Sequence, residues 1–115
     1  MRIDAAILYV KNLAESITFF HEKLGFTLEF QDGDRYASFI FEGDARLGII
    51  QANAKEIENP GHNALKIRVT NAAAIYKELQ EKGMEFYKPL TVEPWATEFI
   101  VLDVDKNKII MVERE

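Results

Sequence analysis

Cysteine is absent from the 115 residues. That one absence excludes a disulfide framework, a thiolate zinc site, an iron–sulfur cluster and a cysteine nucleophile. Glycine (six) and proline (three) are sparse, which excludes collagen-like and low-complexity structure. No run of Lys and Arg occurs: 14 basic residues face 19 acidic ones for a net charge of −5. With nothing to track a phosphate backbone, nucleic acid is excluded as a partner. No apolar run approaches the length of a membrane span, and Ala5 to Val10 is too short for a leader core and runs into Lys11 and Asn12. The expectation is therefore no membrane partner and a cytoplasmic location. What is present is ordinary, 48% hydrophobic and 29% charged, in a length that suits one domain with a real core.

The first half reads as strand, helix and three strands. Residues 3 to 10 are rich in Ile, Leu, Tyr and Val. Asn12 is a helix-cap residue, and Leu13, Ile17, Phe20 and Leu24 recur at helical spacing until Gly25 supplies a stop. Strands are predicted over 26–31, 36–41 and 46–51, separated by the turn signals Asp32-Gly33-Asp34 and Glu42-Gly43-Asp44. The polar segment 53–61, with its Pro60-Gly61 dipeptide, reads as a connector.

The second half repeats the first. A strand over 65–69, the cap Asn71, a helix over 72–82, the stop Gly83 and strands over 84–90, 97–103 and 108–113 follow in the same order. Val10 matches Val69 and Asn12 matches Asn71; after a one-residue gap, Ile17, Gly25 and Leu28 match Ile75, Gly83 and Phe86. The expected fold is α+β, a single domain of tandem βαβββ modules (about 1–52 and 62–115). The modules would form a curved mixed sheet of about eight strands with a concave ligand cavity.

The segments Val10-Lys-Asn-Leu-Ala-Glu-Ser16 and Phe19-Phe20 followed by Leu24-Gly25-Phe26 carry a resemblance that extends over the whole chain. Its further carriers are Leu79-Gln-Glu-Lys-Gly83 and Pro94-Trp95-Ala-Thr-Glu98-Phe99 leading to Asp103-Val-Asp105-Lys-Asn107. In order and spacing these resemble the vicinal oxygen chelate superfamily of glyoxalases, extradiol dioxygenases and bleomycin resistance proteins. The chain is closest in character to the bleomycin resistance branch. Val104 and Lys106 stand where the family has Pro and Gly in the last turn.

The resemblance implies a divalent metal held by one His or Glu from each of four strands. The corresponding positions here are Ala5, Gly48, Ala64 and Ile110, none of which offers a ligand atom. No cofactor is therefore expected, and no metal-ligating or catalytic residue is assigned. His62 lies two residues before Ala64, a lone histidine near a Pro-Gly loop. His21 reads as a capping or surface residue at a helix end, and Asp103, Asp105 and Asn107 lack the later ligands of a calcium loop.

Alternation assigns faces. Leu65, Ile67 and Val69 are expected under the second helix, which turns His62, Ala64, Lys66 and Arg68 toward the cavity; Ala6, Leu8 and Val10 are expected under the first, which turns Ile3, Ala5, Ile7 and Tyr9 inward to the same cavity. Candidate ligand-binding residues are Tyr9, Tyr36, Ser38, Arg46, His62, Lys66, Arg68, Trp95 and Glu98. The cations alternatively face water at strand ends, and Trp95 either stacks on a ligand or anchors its loop. Acid–base work, if any, falls to Glu98, Glu29 or Tyr9. The favoured function is metal-independent binding of a small aromatic or antibiotic-like ligand. A glyoxalase- or dioxygenase-like lyase or isomerase with a rearranged metal site, and a regulatory dimer with a vestigial cavity, are the alternatives. The partners expected are a small organic ligand and a second copy of the chain, with module exchange through the connector.

Overall fold

Each helix starts where the sequence places a cap, and both starts are built alike. The Asn12 side chain accepts from the Glu15 amide at 3.0 Å, and the Asn71 side chain accepts from the Ala74 amide at 3.0 Å. A second acceptor arrives from a distant strand each time: Gln51 Oε1 takes the Leu13 amide and Glu113 Oε1 takes the Ala72 amide, both at 2.8 Å. These paired contacts satisfy orphan donors at each helix start and bind helix to sheet. Equivalent residues thus do equivalent work in the two halves.

The computed structural model describes residues 1–53 and 61–114, so most of the predicted connector lies outside the described residues. The elements are β1 (Ala6–Val10), α1 (Leu13–Ile17), β2 (Thr27–Asp32), β3 (Tyr36–Ile40) and β4 (Arg46–Gln51), then β5 (Ala64–Arg68), α2 (Ala72–Glu81), β6 (Phe86–Val92), β7 (Ala96–Leu102) and β8 (Lys108–Arg114). They fall into two compact units, Met1–Gly61 and His62–Glu115. Hydrogen bonding divides the eight strands into two four-stranded mixed sheets, ordered β1-β4-β3-β2 and β5-β8-β7-β6. In each, the first strand pairs parallel with the fourth and the remaining pairs are antiparallel. This is the βαβββ fold expected from the sequence.

The first helix departs from expectation in an informative way. It runs as α-helix only to Ile17 and continues as a π-helical turn over Thr18–Lys23, where the Leu24 amide reaches back to the Phe19 carbonyl at 3.0 Å. The first module has one residue more than the second between its cap and its stop glycine, and the wider turn absorbs it. Widening also lets the consecutive residues Phe19 and Phe20 both bury, so the buried stripe includes Phe19 and Ser16 as well as the expected Leu13 and Phe20.

The core of the first unit is an aromatic cluster. Phe20, fully buried, has ring neighbours Phe19, Phe26 and Phe39 at centroid distances of 5.3 to 5.7 Å. In the second unit Tyr76 of α2 packs on Phe86 and Phe99 at 4.6 and 5.3 Å. Leu8 and Val10 are buried as expected, whereas Ala6, at the start of its strand, is exposed.

The turn between β7 and β8, where Val104 and Lys106 stand, is closed by side chains of its own. Lys106 takes the left-handed backbone itself, with φ of 65°. Asp103 holds the turn together. Its Oδ1 accepts the Asp105 and Asn107 amides at 2.9 and 2.7 Å, and its Oδ2 accepts Asn107 Nδ2 at 2.8 Å. Asn107 Oδ1 then accepts the Asn63 amide at 3.1 Å, tying the entry to β5 to the same turn. Both Asp103 oxygens are committed to protein donors, an arrangement unlike that of a calcium loop. Burial raises the Asp103 carboxyl against these hydrogen bonds. Replacing Asp103 by Ala strands several buried donors. Chemical denaturation is expected to show a loss of roughly 2–4 kcal/mol.

Candidate functional site

A helix covers one face of each sheet, and the other face carries the candidate residues. In the first unit the strand registers place Ile7, Gly48, Ser38 and Phe30 in one row across the open face and Tyr9, Ile50, Tyr36 and Asp32 in the next. Tyr36 and Ser38 therefore share the open face, and Ala37 and Phe39, on the opposite face of β3, belong to the core. The Tyr36 ring reaches from its own row across Gly48. A Cβ added at Gly48 would collide with the Tyr36 hydroxyl and with Ile7 Cδ1. Phe30 lies beside Tyr36 at a centroid distance of 5.7 Å. Ile7 and Tyr9 are about two-fifths exposed, so this row-and-ring arrangement is an accessible aromatic and aliphatic floor.

Beside that floor the polar groups are already matched to one another. A register shift in β2 between Leu28 and Phe30 brings Glu29 over β3, where its carboxylate accepts from Ser38 Oγ at 2.8 Å and from Arg46 Nε at 3.0 Å. Arg46 Nη2 adds an ion pair at 2.9 Å, and Nη1 donates to the Asp44 carbonyl at 3.1 Å. The Arg46 hydrogen bond, then that of Ser38, holds the Glu29 carboxyl below its usual range. Arg46, a candidate cation for a ligand, is thus committed to Glu29, and Ser38 is buried beneath the same carboxylate.

In the second unit, rows across the open face read Lys66, Ile110, Ile100, Lys88 and Arg68, Val112, Glu98, Thr91. Glu98 accepts from Lys88 Nζ at 2.8 Å. That hydrogen bond holds its carboxyl below the usual carboxylate range; partial desolvation opposes the shift, and the charges of Lys88, Lys66 and Arg114 reinforce it. The folded-state value is below the unfolded one, so the stabilisation is full above the unfolded carboxylate range and is lost as pH falls through the lowered folded value. Glu98→Gln is accordingly expected to flatten part of the acid limb of the stability–pH curve, measured by thermal melts from pH 7 downward.

Lys108 is the repeat equivalent of Arg46, and Tyr87 that of Glu29. Here the ion pair of the first unit is replaced by the Lys108 ammonium 4.1 Å from the Tyr87 ring centroid. Tyr87, Lys88 and Arg114 on this face are not among the candidates read from the sequence, and Glu29, read there only as an acid–base group, is a structural anion in the first unit. The register shift in β6 hides Lys88 from simple alternation.

The other candidates separate. Lys66 and Arg68 are exposed on the open face of β5. His62 precedes the strand with a left-handed φ of 63°, so alternation does not carry it onto the face of Ala64. Trp95 lies in the β6–β7 connection and is 67% exposed, which removes the core-anchor alternative. His21 Nδ1 donates to the Phe26 carbonyl at 2.8 Å, a local tie after the helix.

The residues do not fit a metal. Ala5, Gly48, Ala64 and Ile110 supply no ligand atom, and the space above Gly48 is taken by Tyr36 and Ile7. Among the described residues no group of three or more His, Asp or Glu is placed to hold an ion.

The two units are thus built on the plan of the Glyoxalase/Bleomycin resistance protein/Dioxygenase superfamily, whose family model matches residues 2–111. The chain belongs to that superfamily. Solved structures share the fold over essentially the full length. TnmS3, an antibiotic binding protein from Streptomyces sp. CB03234, superposes with a TM-score of 0.86 at 22% identity, covering 100% of this chain and 97% of that one. UcmS2 gives 0.82 at 18% identity with 97% of each chain covered. A lactoylglutathione lyase from Agrobacterium tumefaciens gives 0.77 at 15% identity, covering 97% of this chain and 92% of that one. At these identities the likeness is one of fold. No curated protein matches the chain. No helix among the described residues is long and apolar enough to cross a membrane.

Proposed function

We propose that this protein binds a small planar organic ligand without a metal and without transforming it, as a sequestering protein of the antibiotic-binding kind. One observation carries the reading: where the superfamily would place a ligand-bearing side chain, Gly48 stands beneath the Tyr36 ring and Ile7. The face this creates is suited to stacking and apolar contact. The carboxylates that acid–base chemistry would use point the same way. Glu29 and Glu98 are clamped by Arg46 and Lys88 and held below the ordinary range, which makes them poor proton acceptors near neutral pH. A fold neighbour that binds an antibiotic adds support by analogy. A cytoplasmic homodimer, with or without exchanged modules, belongs to the same reading.

The test is a panel of planar aromatic compounds titrated in the presence of a chelator, with Trp95 fluorescence and melting temperature as readouts. Saturable binding with the compound recovered unchanged is expected. Turnover of any compound, or binding only after metal is added, would overturn the proposal.

A further inference from the structure

The open face of the second sheet carries an excess of one charge that the protein as a whole does not. The chain has a net charge of −5, yet the strand registers bring Lys66, Arg68, Lys88, Lys108 and Arg114 to one face with Glu98 as the carboxylate among them. Two of these cations are compensated, Lys88 by Glu98 and Lys108 by the Tyr87 ring. Lys66, Arg68 and Arg114 make no hydrogen bond or ion pair with any described residue, and all three are exposed. Lys66 and Arg68 sit on β5, one of the two edge strands of the described sheet.

Between the two sets of cations lies apolar ground. Ile110 of β8 and Ile100 of β7 separate Lys66 from Lys88 in one row. Three inter-strand spacings of roughly 4.8 Å put about 14 Å between those backbones. That width takes a two- or three-ring system lying flat on the isoleucines. The polarity of such a ligand follows from which cations are still free.

We propose that this face recognises a planar aromatic acid, its rings on Ile100 and Ile110 and its anionic group directed to Lys66 and Arg68. The proposal rests on the metal-free binding reading above and adds a second binding face, on the second unit alone, with the chemical class of ligand that this face takes. Arg68 offers a planar fork and Lys66 a point charge, a combination that holds a carboxylate or sulfonate by charge-assisted hydrogen bonds. An ionised ligand of this kind supplies the negative charge that the three free cations lack.

The full chain is titrated with anthraquinone-2-carboxylate and with its uncharged carboxamide, followed by calorimetry and by Trp95 emission. The acid is expected to bind roughly ten- to a hundredfold more tightly than the amide. The Lys66→Ala/Arg68→Ala double variant is expected to lose that preference while keeping its affinity for the amide, and Lys66→Arg/Arg68→Lys to retain most of it. Lys77→Ala, on the exposed side of α2, serves as the control and leaves both affinities unchanged. Equal binding of acid and amide by the unmodified chain would overturn the acid preference while leaving metal-free binding intact. Binding of neither would overturn both. Displacement of the acid by a short DNA duplex at low micromolar concentration would reassign the face to a polyanion and overturn the proposal.

Discussion

Replacing Tyr36 by Ala is expected to weaken the binding of a planar aromatic ligand by on the order of 1–3 kcal/mol, a roughly ten- to hundredfold rise in Kd. The ring does two jobs. It spans the open face from its own row to the row of Gly48, and it stands beside Phe30. Its removal therefore takes away the central surface of the floor and opens the strand backbone to water. Because Tyr36 is only half-buried, the fold is expected to survive, with a stability change of about 1 kcal/mol. Calorimetric titration beside a urea melt separates the two effects. An unchanged Kd with an unchanged melt would mean that the aromatic floor takes no part in binding.

Phe20→Ala is expected to cost about 3–5 kcal/mol of folding stability, the largest single effect in the first unit. Phe20 is fully buried and shares ring contacts with Phe19, Phe26 and Phe39, so its loss leaves a cavity walled by aromatics that cannot readily collapse. Urea denaturation followed by Trp95 fluorescence and far-UV circular dichroism reads the loss. A change below about 1 kcal/mol would show that the cluster repacks.

Much of this architecture is visible in the sequence because local signals and the repeat agree. Asn12 and Asn71 cap helices as their positions suggest, and Gly25 and Gly83 take the left-handed turns that end them. Alternation places Ile7, Tyr9, Lys66 and Arg68 on open faces and Leu8 and Val10 in the core. It fails where the backbone period breaks. The register shifts in β2 and β6 carry Phe30 and Lys88 onto the open face beside Glu29 and Tyr87, where a strict period of two counted from Leu28 and Phe86 does not put them. The π-helical turn lets Phe19 bury beside Phe20 although the two are adjacent in sequence.

Ion pairing was equally hard to read. Nothing in the chain order couples Arg46 to Glu29, 17 residues away, so a side chain that looks free in the sequence is occupied in the fold. His62 shows the complementary failure, since its left-handed backbone removes it from the strand whose period was extended to it. The residue identities at positions 5, 48, 64 and 110 need no fold to read. What only the fold supplies is that Tyr36 and Ile7 fill the space over Gly48.

The central claim is that this member of the superfamily binds its ligand on a metal-free face. Isothermal titration of the tag-free, chelator-washed chain with Ni²⁺, Mn²⁺, Zn²⁺ and Fe²⁺ tests it most directly. The expected result is weak, non-stoichiometric heat no larger than that of a His21→Ala/His62→Ala control, with aromatic-ligand affinity unchanged by the metal. A single stoichiometric site tighter than micromolar, or a ligand affinity that requires the ion, would contradict it.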